Sequence, residues 1–235
     1  MTKRVVSNPL ALAVLACLWE KPMYPYEMTT TMRERGKEDS IRLNFGSLYA
    51  VIKSLEKHGF IRVAQTEREG NRPERVVYEI TAEGRAEADD WMRELIAFPV
   101  KEYPAIETGL SLLPMLSPDV AVELLERRRD LLEAELAERA EVYARALAMP
   151  LPELSMIESR YRVAMLEAER AFIADLAAGI RDRSLGGIDW WERLWQLFGQ
   201  GYDMAEVRDR IAAGDFGQEA ADLFGTAEAP SRADT

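Results

Sequence analysis

The sequence has one cysteine, one histidine and no long apolar run among its 235 residues. Cys17 has no second cysteine to pair with, so an intramolecular disulfide is impossible and a four-ligand zinc cage is disfavoured. The apolar stretch from Pro9 to Trp19 is shorter than the roughly 20 residues that a membrane-spanning helix needs, and no signal-peptide cleavage site follows it. We therefore predict a cytoplasmic protein without a membrane segment, in which Cys17 is a buried core residue.

Signatures of catalysis are also missing. The sequence has no glycine-rich phosphate loop after a strand, no nucleophile elbow and no histidine–carboxylate spacing typical of a metal site. His58 falls at the end of a predicted helix, where a cation interacts favourably with the helix dipole, so capping explains it without chemistry. We predict that the chain is not an enzyme, with no catalytic residue, metal or cofactor.

Positive charge is scarce overall, since the net charge is -11 at pH 7, but its distribution is uneven. Residues 1–78 carry 13 Lys and Arg against 9 Asp and Glu, a balance of +4, while residues 79–235 carry 17 against 32, a balance of -15. Attraction to phosphate is screened beyond about 8 to 10 Å in physiological salt. The acidic region therefore need not prevent the mildly basic region from binding nucleic acid.

The first 98 residues have the order of elements found in a winged helix-turn-helix. Apolar spacing and capping signals predict a first helix from Pro9, a second over residues 26–35, a charged loop over 37–39 and a third helix over 45–58. Two stretches rich in β-branched and aromatic residues, 60–65 and 75–80, predict a hairpin with a polar tip over residues 66–74. Thr81 is the predicted N-cap of a further helix that ends near Phe98.

Beyond a linker bracketed by Pro99 and Pro104, the pattern is helical. Long helices are predicted from Pro118 to about residue 148 and over residues 153–183, and a short one over residues 190–198. Helices this long in so small a domain cannot each bury a full apolar stripe within one chain, so a second copy is the natural cover. We predict a mainly α fold with a small β-hairpin: a winged-helix DNA-binding domain over residues 1–98, a helical dimerisation and effector-binding domain over 105–226, and a disordered tail over 227–235.

In a winged helix the third helix enters the major groove and the hairpin reaches the neighbouring backbone. The predicted DNA-binding residues are accordingly polar side chains off the apolar stripe of the third helix, or near it, and donors of the wing. They are Tyr24, Asn44, Ser47, Tyr49, Lys53, Arg68, Asn71, Arg72 and Arg75. Two alternatives stay open: Tyr49 could be half-buried core, and the wing arginines could pair with Glu67, Glu69 and Glu74.

Three ordered motifs mark this region. They are Tyr24-Pro25-Tyr26-Glu27-Met28 at the second helix, Gly46-Ser47-Leu48-Tyr49 with Leu55-Glu56 in the third, and Tyr78-Glu79-Ile80-Thr81-Ala82-Glu83-Gly84 after the wing. Across residues 9–96 they resemble the PadR-like family of bacterial transcriptional regulators, except that Pro25 stands where that family usually has glycine. The resemblance implies a homodimer that binds double-stranded DNA at an inverted-repeat operator and represses until a small effector or a stress releases it.

Aromatic residues cluster near the end of the chain. Trp190, Trp191, Trp195 and Phe198 fall within nine residues, and the last three share one helix face. Dimer core is one interpretation, and a platform for a small aromatic effector is the second, because family members that sense flat aromatic compounds can use interface tryptophans. Trp91, on a helix suited to dimer contact or linking, is grouped with them.

A function from another class stays open. A winged-helix module can serve as a protein–protein adaptor, here with the acidic C-terminal region as its working surface and no operator at all. The two hypotheses differ in a measurable way. A DNA binder should lose affinity when Arg72 or Lys53 is removed and show a steep salt dependence, whereas an adaptor should be indifferent to both changes.

Overall fold

The computed structural model describes residues 4–41, 44–67, 75–147 and 152–216. These residues divide into two compact units, with the boundary between Glu102 and Tyr103. Helices dominate both units, and the sheet is a two-stranded antiparallel hairpin. The predicted fold class, mainly α with a small β-hairpin, is confirmed. Within the described ranges, no helix combines the length and the apolar character that crossing a membrane requires.

The first unit has the predicted order of three helices, a hairpin and a fourth helix. The elements are α1, Pro9–Glu20; α2, Pro25–Glu34; α3, Phe45–Lys57; β1, Ile61–Glu67; β2, Arg75–Ile80; and α4, Ala82–Ala97. Three details differ from the prediction. Strand β1 runs to Glu67, so it extends two residues into the stretch predicted as the tip. The second helix starts one residue earlier because Pro25, with its fixed φ, occupies the first helical position. The stretch Lys37–Asp39, predicted as a loop, forms a 3₁₀ turn.

Caps explain where these helices begin and end. Side-chain oxygens accept backbone N–H bonds at three helix starts: Asn8 from Leu10 at 3.0 Å, Asn44 from Ser47 at 2.8 Å and Thr81 from Gly84 at 3.0 Å. Gly59, which follows α3, has a φ of 76°, a conformation that glycine adopts without strain. His58 occupies the C-cap position, and its Nδ1 lies 2.7 Å from the carbonyl oxygen of Ser54, as expected of a capping residue.

One core holds the first unit together. Helix α1 is buried along most of its length, and its side chains pack with those of α2, α3, the hairpin and α4. Cys17 lies in this core, where burial raises the pKa of its thiol. Met23, just before α2, forms a β-bridge with Tyr78 through two N–H···O bonds of 3.0 Å each. The base of the wing is therefore tied to the start of α2, a pairing that the sequence pattern did not predict.

The start of α4 is joined to the end of α3. Thr81 donates from its backbone N–H to the carbonyl of Phe60 at 3.0 Å and from its hydroxyl to the carbonyl of Gly59 at 2.7 Å. Gly84 lies so close that a Cβ on it would be 1.9 Å from the oxygen of Phe60. This contact, called the α3–α4 joint below, requires glycine. Farther along α4, three carboxylates bind the guanidinium of Arg4, namely those of Glu87, Asp90 and Glu94.

The second unit is helical throughout its described residues. The elements are α5, Ala105–Ser111; α6, Pro118–Leu147; α7, Ile157–Arg181; α8, Ile188–Gly199; and α9, Met204–Ala212. Helix α7 starts four residues later than predicted because Glu153–Met156 forms a 3₁₀ turn after Pro152. Helices α5 and α9 were not predicted. Helices α6 and α7 form an antiparallel pair with ion pairs across it, such as Arg128 with Glu169 and Arg162 with Glu135.

Candidate nucleic-acid interface

Helix α3 has two sharply different sides. Leu48, Val51, Ile52 and Leu55 are at most 6% exposed and pack into the core of the first unit. At 100° per residue, the opposite side is formed by exposed residues three and four positions apart. We call this side the outward face of α3, and its residues are Gly46, Tyr49, Ala50, Lys53 and Lys57.

The outward face carries unneutralised positive charge. Lys53 and Lys57 are exposed, and neither forms an ion pair with any residue in the described part of the chain. Among the other cations of the first unit whose side chains the structure describes, most are paired with carboxylates: Arg4, Lys21, Arg33, Arg35, Arg62 and Arg93. Two like charges four residues apart slightly destabilise a helix. An anionic partner such as DNA phosphate would offset that cost.

Tyr49 projects from the same face. Its side chain is 54% exposed, so the structure favours the exposed interpretation over the half-buried one. The neighbouring Tyr78 on β2 is half-buried, and its pKa is raised by burial first, then by the carboxylate of Glu56 and by Tyr49.

The remaining predicted residues of this region occupy helix starts. Asn44 is exposed and its Oδ1 caps α3, which leaves its amide nitrogen as the group that can donate elsewhere. Ser47 is half-buried beside that cap, and Tyr24 is half-buried at the N-cap position of α2. The structure thus places Asn44, Ser47, Tyr49 and Lys53 on or beside the first turns of α3.

The predicted wing residues cannot be placed. Arg68, Asn71 and Arg72 lie outside the described residues, as do Glu69 and Glu74, with which they could pair. Arg75 begins β2 opposite Glu67 in the hairpin register, but the side chains of both are outside the description. Their role in DNA binding stays a prediction.

Sequence reasoning missed three residues of the outward face: Gly46, Ala50 and Lys57. Glycine and alanine carry no functional group, and a lysine near a helix end is common at any protein surface. Their spacing could have indicated them, because each lies three or four residues from another member of the face opposite the apolar stripe.

The aromatic cluster of the second unit forms internal bonds. Trp191 is 5% exposed and donates from Nε1 to the carbonyl of Leu116 at 2.8 Å. Trp195 donates to the carbonyl of Pro114 at 3.1 Å and meets the ring of Phe198 edge to face. Trp190 packs against the same clusters. These contacts fasten α8 to the segment after α5, which favours a structural role for the cluster.

Trp91 belongs to a different core. It is 5% exposed within the first unit, and the guanidinium of Arg4 lies 5.5 Å from its ring centroid. The structure therefore separates Trp91 from the four aromatic residues with which the sequence analysis grouped it. With so little surface exposed, Trp91 offers little to a partner chain.

Helix α7 exposes an apolar stripe. Ile157, Tyr161, Met165 and Phe172 are each 50% exposed or more and fall within 80° of one another around the helix. The opposite side of α7 is buried and packs in the core of the second unit or against α6. The exposed set is called the α7 stripe below. Helix α6 exposes a similar set: Val120, Leu124, Leu131 and Val142.

Residues 14–90 match the family described as Transcriptional regulator PadR-like family, which confirms the resemblance carried by the motifs. Members of that family are transcriptional regulators, not enzymes. No curated protein matches the chain.

Several solved structures share the fold at low identity. Bacillus subtilis PadR in complex with operator DNA has a TM-score of 0.61 and 20% identity, and the match covers 74% of this chain and 99% of that chain. The same protein in complex with p-coumaric acid gives 0.58 and 18%, with 75% and 99% covered. The Vibrio cholerae virulence activator AphA gives 0.55 and 15%, with 74% and 99% covered. About a quarter of this chain has no counterpart in these neighbours.

Proposed function

We propose that this chain is a DNA-binding transcriptional regulator that acts as a homodimeric repressor at an inverted-repeat operator. The observation that carries this proposal is a pair of exposed lysines on the outward face of α3, Lys53 and Lys57, which form no ion pair with the described residues. The third helix of a winged helix-turn-helix unit is the element that enters the major groove. The family match and the operator complex of Bacillus subtilis PadR support the same conclusion.

The homodimer is supported by the α7 stripe. Scattered exposed apolar side chains are normal, but four large ones aligned along one helix form a continuous surface that favours a partner helix. In a two-fold dimer each half-site is read by one copy of α3, and half-sites lie about one helical turn, roughly 34 Å, apart. The second unit would then set the spacing between the two copies of α3. The dimer would act in the cytoplasm, where chromosomal DNA lies.

Release by a small aromatic effector is the regulatory part of the proposal. Bacillus subtilis PadR has been solved with p-coumaric acid, which supports a ligand of this class. In this chain the tryptophans of α8 are engaged in internal bonds, so they are poorly placed to serve as a free platform. An open cleft of about 1050 Å³ between α6 and α7 offers an alternative location, lined by small and apolar side chains that include Leu136, Ala140, Tyr143, Val163 and Ala164.

The test is a selection of bound fragments from genomic DNA by purified protein, repeated at two salt concentrations and with Lys53→Ala. We expect enrichment of an inverted repeat, weaker binding at higher salt, and a log–log salt slope that falls by about 1 for each lysine removed, hence about 2 per dimer. Lys101→Ala is the matched control, because it removes the same charge outside α3 and should leave the slope unchanged. If neither the wild-type protein nor either variant enriches a sequence, the adaptor function is favoured instead.

A further inference from the structure

We infer that the amino-terminal half of α3 reads the C5-methyl groups of thymine in the major groove, through the methyl group of Ala50 and the ring of Tyr49. This inference rests on the proposed DNA-binding function and names the base chemistry that the same surface recognises. It depends on three observations: which hydrogen-bonding groups the helix lacks, which apolar groups it exposes, and how much space surrounds Gly46.

Helix α3 lacks the side chains that read bases by paired hydrogen bonds. Its residues include no arginine, asparagine or glutamine. Guanine is typically read by the fork of arginine, and adenine by a carboxamide that donates and accepts at once. The nearest carboxamide, that of Asn44, already accepts from the N–H of Ser47 through its oxygen. Lys53 can still donate to guanine as a single charge, and the cap bond occupies one of the two acceptor sites on the Asn44 oxygen.

The outward face instead presents apolar groups. Ala50 is exposed and lies near the centre of that face, opposite the buried stripe, and Tyr49 beside it is 54% exposed. Both lie in the first half of the helix, the part of a recognition helix that meets base edges. In the major groove, thymine presents a methyl group, and alanine or an aromatic ring is the side chain that contacts it.

Gly46 indicates that something approaches α3 closely at this end. Its φ is not in the left-handed region, and a Cβ there would meet the Oδ1 of Asn44 at an ordinary 3.5 Å. As far as the described residues go, there is therefore room for alanine, which is the better helix former. A groove surface within a side chain's distance of the backbone accounts for glycine at this position. Such an approach also brings the Ala50 methyl group, one turn farther along, to the base edges.

The experiment uses the duplex enriched by the selection described above. Each thymine of a half-site is replaced in turn by deoxyuridine, which pairs identically but lacks the methyl group. For the full-length wild-type protein we expect the Kd to rise threefold to fivefold at one or two positions. This is the loss of affinity typical of one methyl group that is no longer buried. With Ala50→Gly, the penalty at one of those positions should disappear, because the contacting methyl group is already gone. Tyr49→Phe, which retains the ring, should keep the wild-type pattern.

Wild-type protein that binds every deoxyuridine duplex as tightly as the thymine duplex would overturn the inference. Because that comparison changes the DNA alone, it stands even where Ala50→Gly impairs folding. Failure of the proposed function is a different result, since then no duplex is enriched at all. As a second measurement, Gly46→Ala should raise the Tm yet weaken operator binding by about tenfold or more, whereas Gly109→Ala, also in open space, should leave binding unchanged. Unchanged binding by Gly46→Ala would contradict the close approach.

Discussion

The two units of this chain bury their apolar residues in different ways. The first unit encloses α1 in one continuous core, and many of its exposed apolar side chains gather at the end of α4, among them Met92, Leu95 and Ile96. The second unit has two smaller clusters around α8, and it leaves the α7 stripe exposed along a helix of 25 residues. A unit with a closed core can fold on its own contacts, whereas an exposed stripe of this length indicates a surface that a partner completes.

Charge separates the two regions further. The mildly basic region includes α3, and the acidic excess lies after residue 78, where 32 carboxylates face 17 cations. Because an acidic surface repels nucleic acid, we expect DNA to bind at the outward face of α3 and not on the acidic region. The two regions therefore differ in charge as well as in how much apolar surface they leave exposed.

The change with the largest expected effect breaks this contrast by placing charge on the α7 stripe. Phe172→Glu should convert the dimer to a monomer, because a carboxylate cannot be buried unpaired in an apolar interface. Operator affinity should fall by about 100-fold or more, since two linked half-sites are no longer bound together. Sedimentation velocity and fluorescence anisotropy measure the two effects. Met204→Glu, a change of an exposed methionine at the start of α9, is the control and should stay dimeric; a dimeric Phe172→Glu would show that the interface lies elsewhere.

A second change tests how tightly the first unit is closed. Gly84→Ala forces a Cβ to within 1.9 Å of the Phe60 carbonyl oxygen, and backbone cannot move aside cheaply. We expect a loss of about 3 kcal/mol in the free energy of unfolding, at the upper end for overpacking. Urea denaturation followed by circular dichroism measures it. Gly109→Ala in α5 of the second unit is the counterpart and should be neutral or stabilising by up to about 1 kcal/mol. Equal changes in unfolding free energy for Gly84→Ala and Gly109→Ala would contradict the tight packing inferred at Gly84.

The third change tests the tryptophan anchor of the second unit. Trp191→Phe removes the donor to the Leu116 carbonyl and leaves that acceptor unpaired, which should lower the free energy of unfolding by about 1–3 kcal/mol. Thermal unfolding provides the measurement. Trp19→Phe is the matched control in the first unit, where the indole is 46% exposed and the expected effect is about 0.5 kcal/mol or less. A loss for Trp19→Phe as large as that for Trp191→Phe would argue against an anchoring role.

The smallest effect concerns an ion pair of the first unit. Hydrogen bonds from Arg35 hold the pKa of Glu20 below its usual value of 4.5. Since the folded-state pKa is the lower one, the stabilisation is present at neutral pH and disappears as the pH falls through that value. Both side chains are about half exposed, so Glu20→Gln should cost less than about 1 kcal/mol at pH 7. The difference in unfolding free energy between the two proteins should disappear as the pH falls below the folded-state pKa of Glu20; a constant difference would contradict the pKa shift.

Local signals allowed much of the fold to be predicted. Caps at Asn8 and Thr81, together with the glycine after α3, define helix ends through contacts between neighbouring residues, and these predictions are confirmed. Helix α9 had such a signal too, because Asp203 and Glu206 form a capping box. Helix α5 had none, since it lies between prolines and buries no residue.

The candidate site was less accessible to sequence reasoning because it depends on distant contacts. That Lys53 and Lys57 form no ion pair with the described residues depends on where distant carboxylates lie, which no local sequence pattern contains. The bonds of Trp191 and Trp195 reach carbonyls 75 and 81 residues away along the chain. Sequence could therefore indicate an aromatic cluster, while its use as an internal anchor required the packed structure.

If α4 moved relative to α3, the α3–α4 joint would be the fulcrum of that movement. Helix α4 has 16 residues, so its far end lies about 24 Å from the joint at 1.5 Å per residue. A displacement of roughly 2 Å at that end corresponds to a rotation of about 5° at the fulcrum, where Thr81 holds the carbonyls of Gly59 and Phe60. For a regulator that reads DNA through α3, a movement beyond Ala97 would reach the end of α3 as a small rotation.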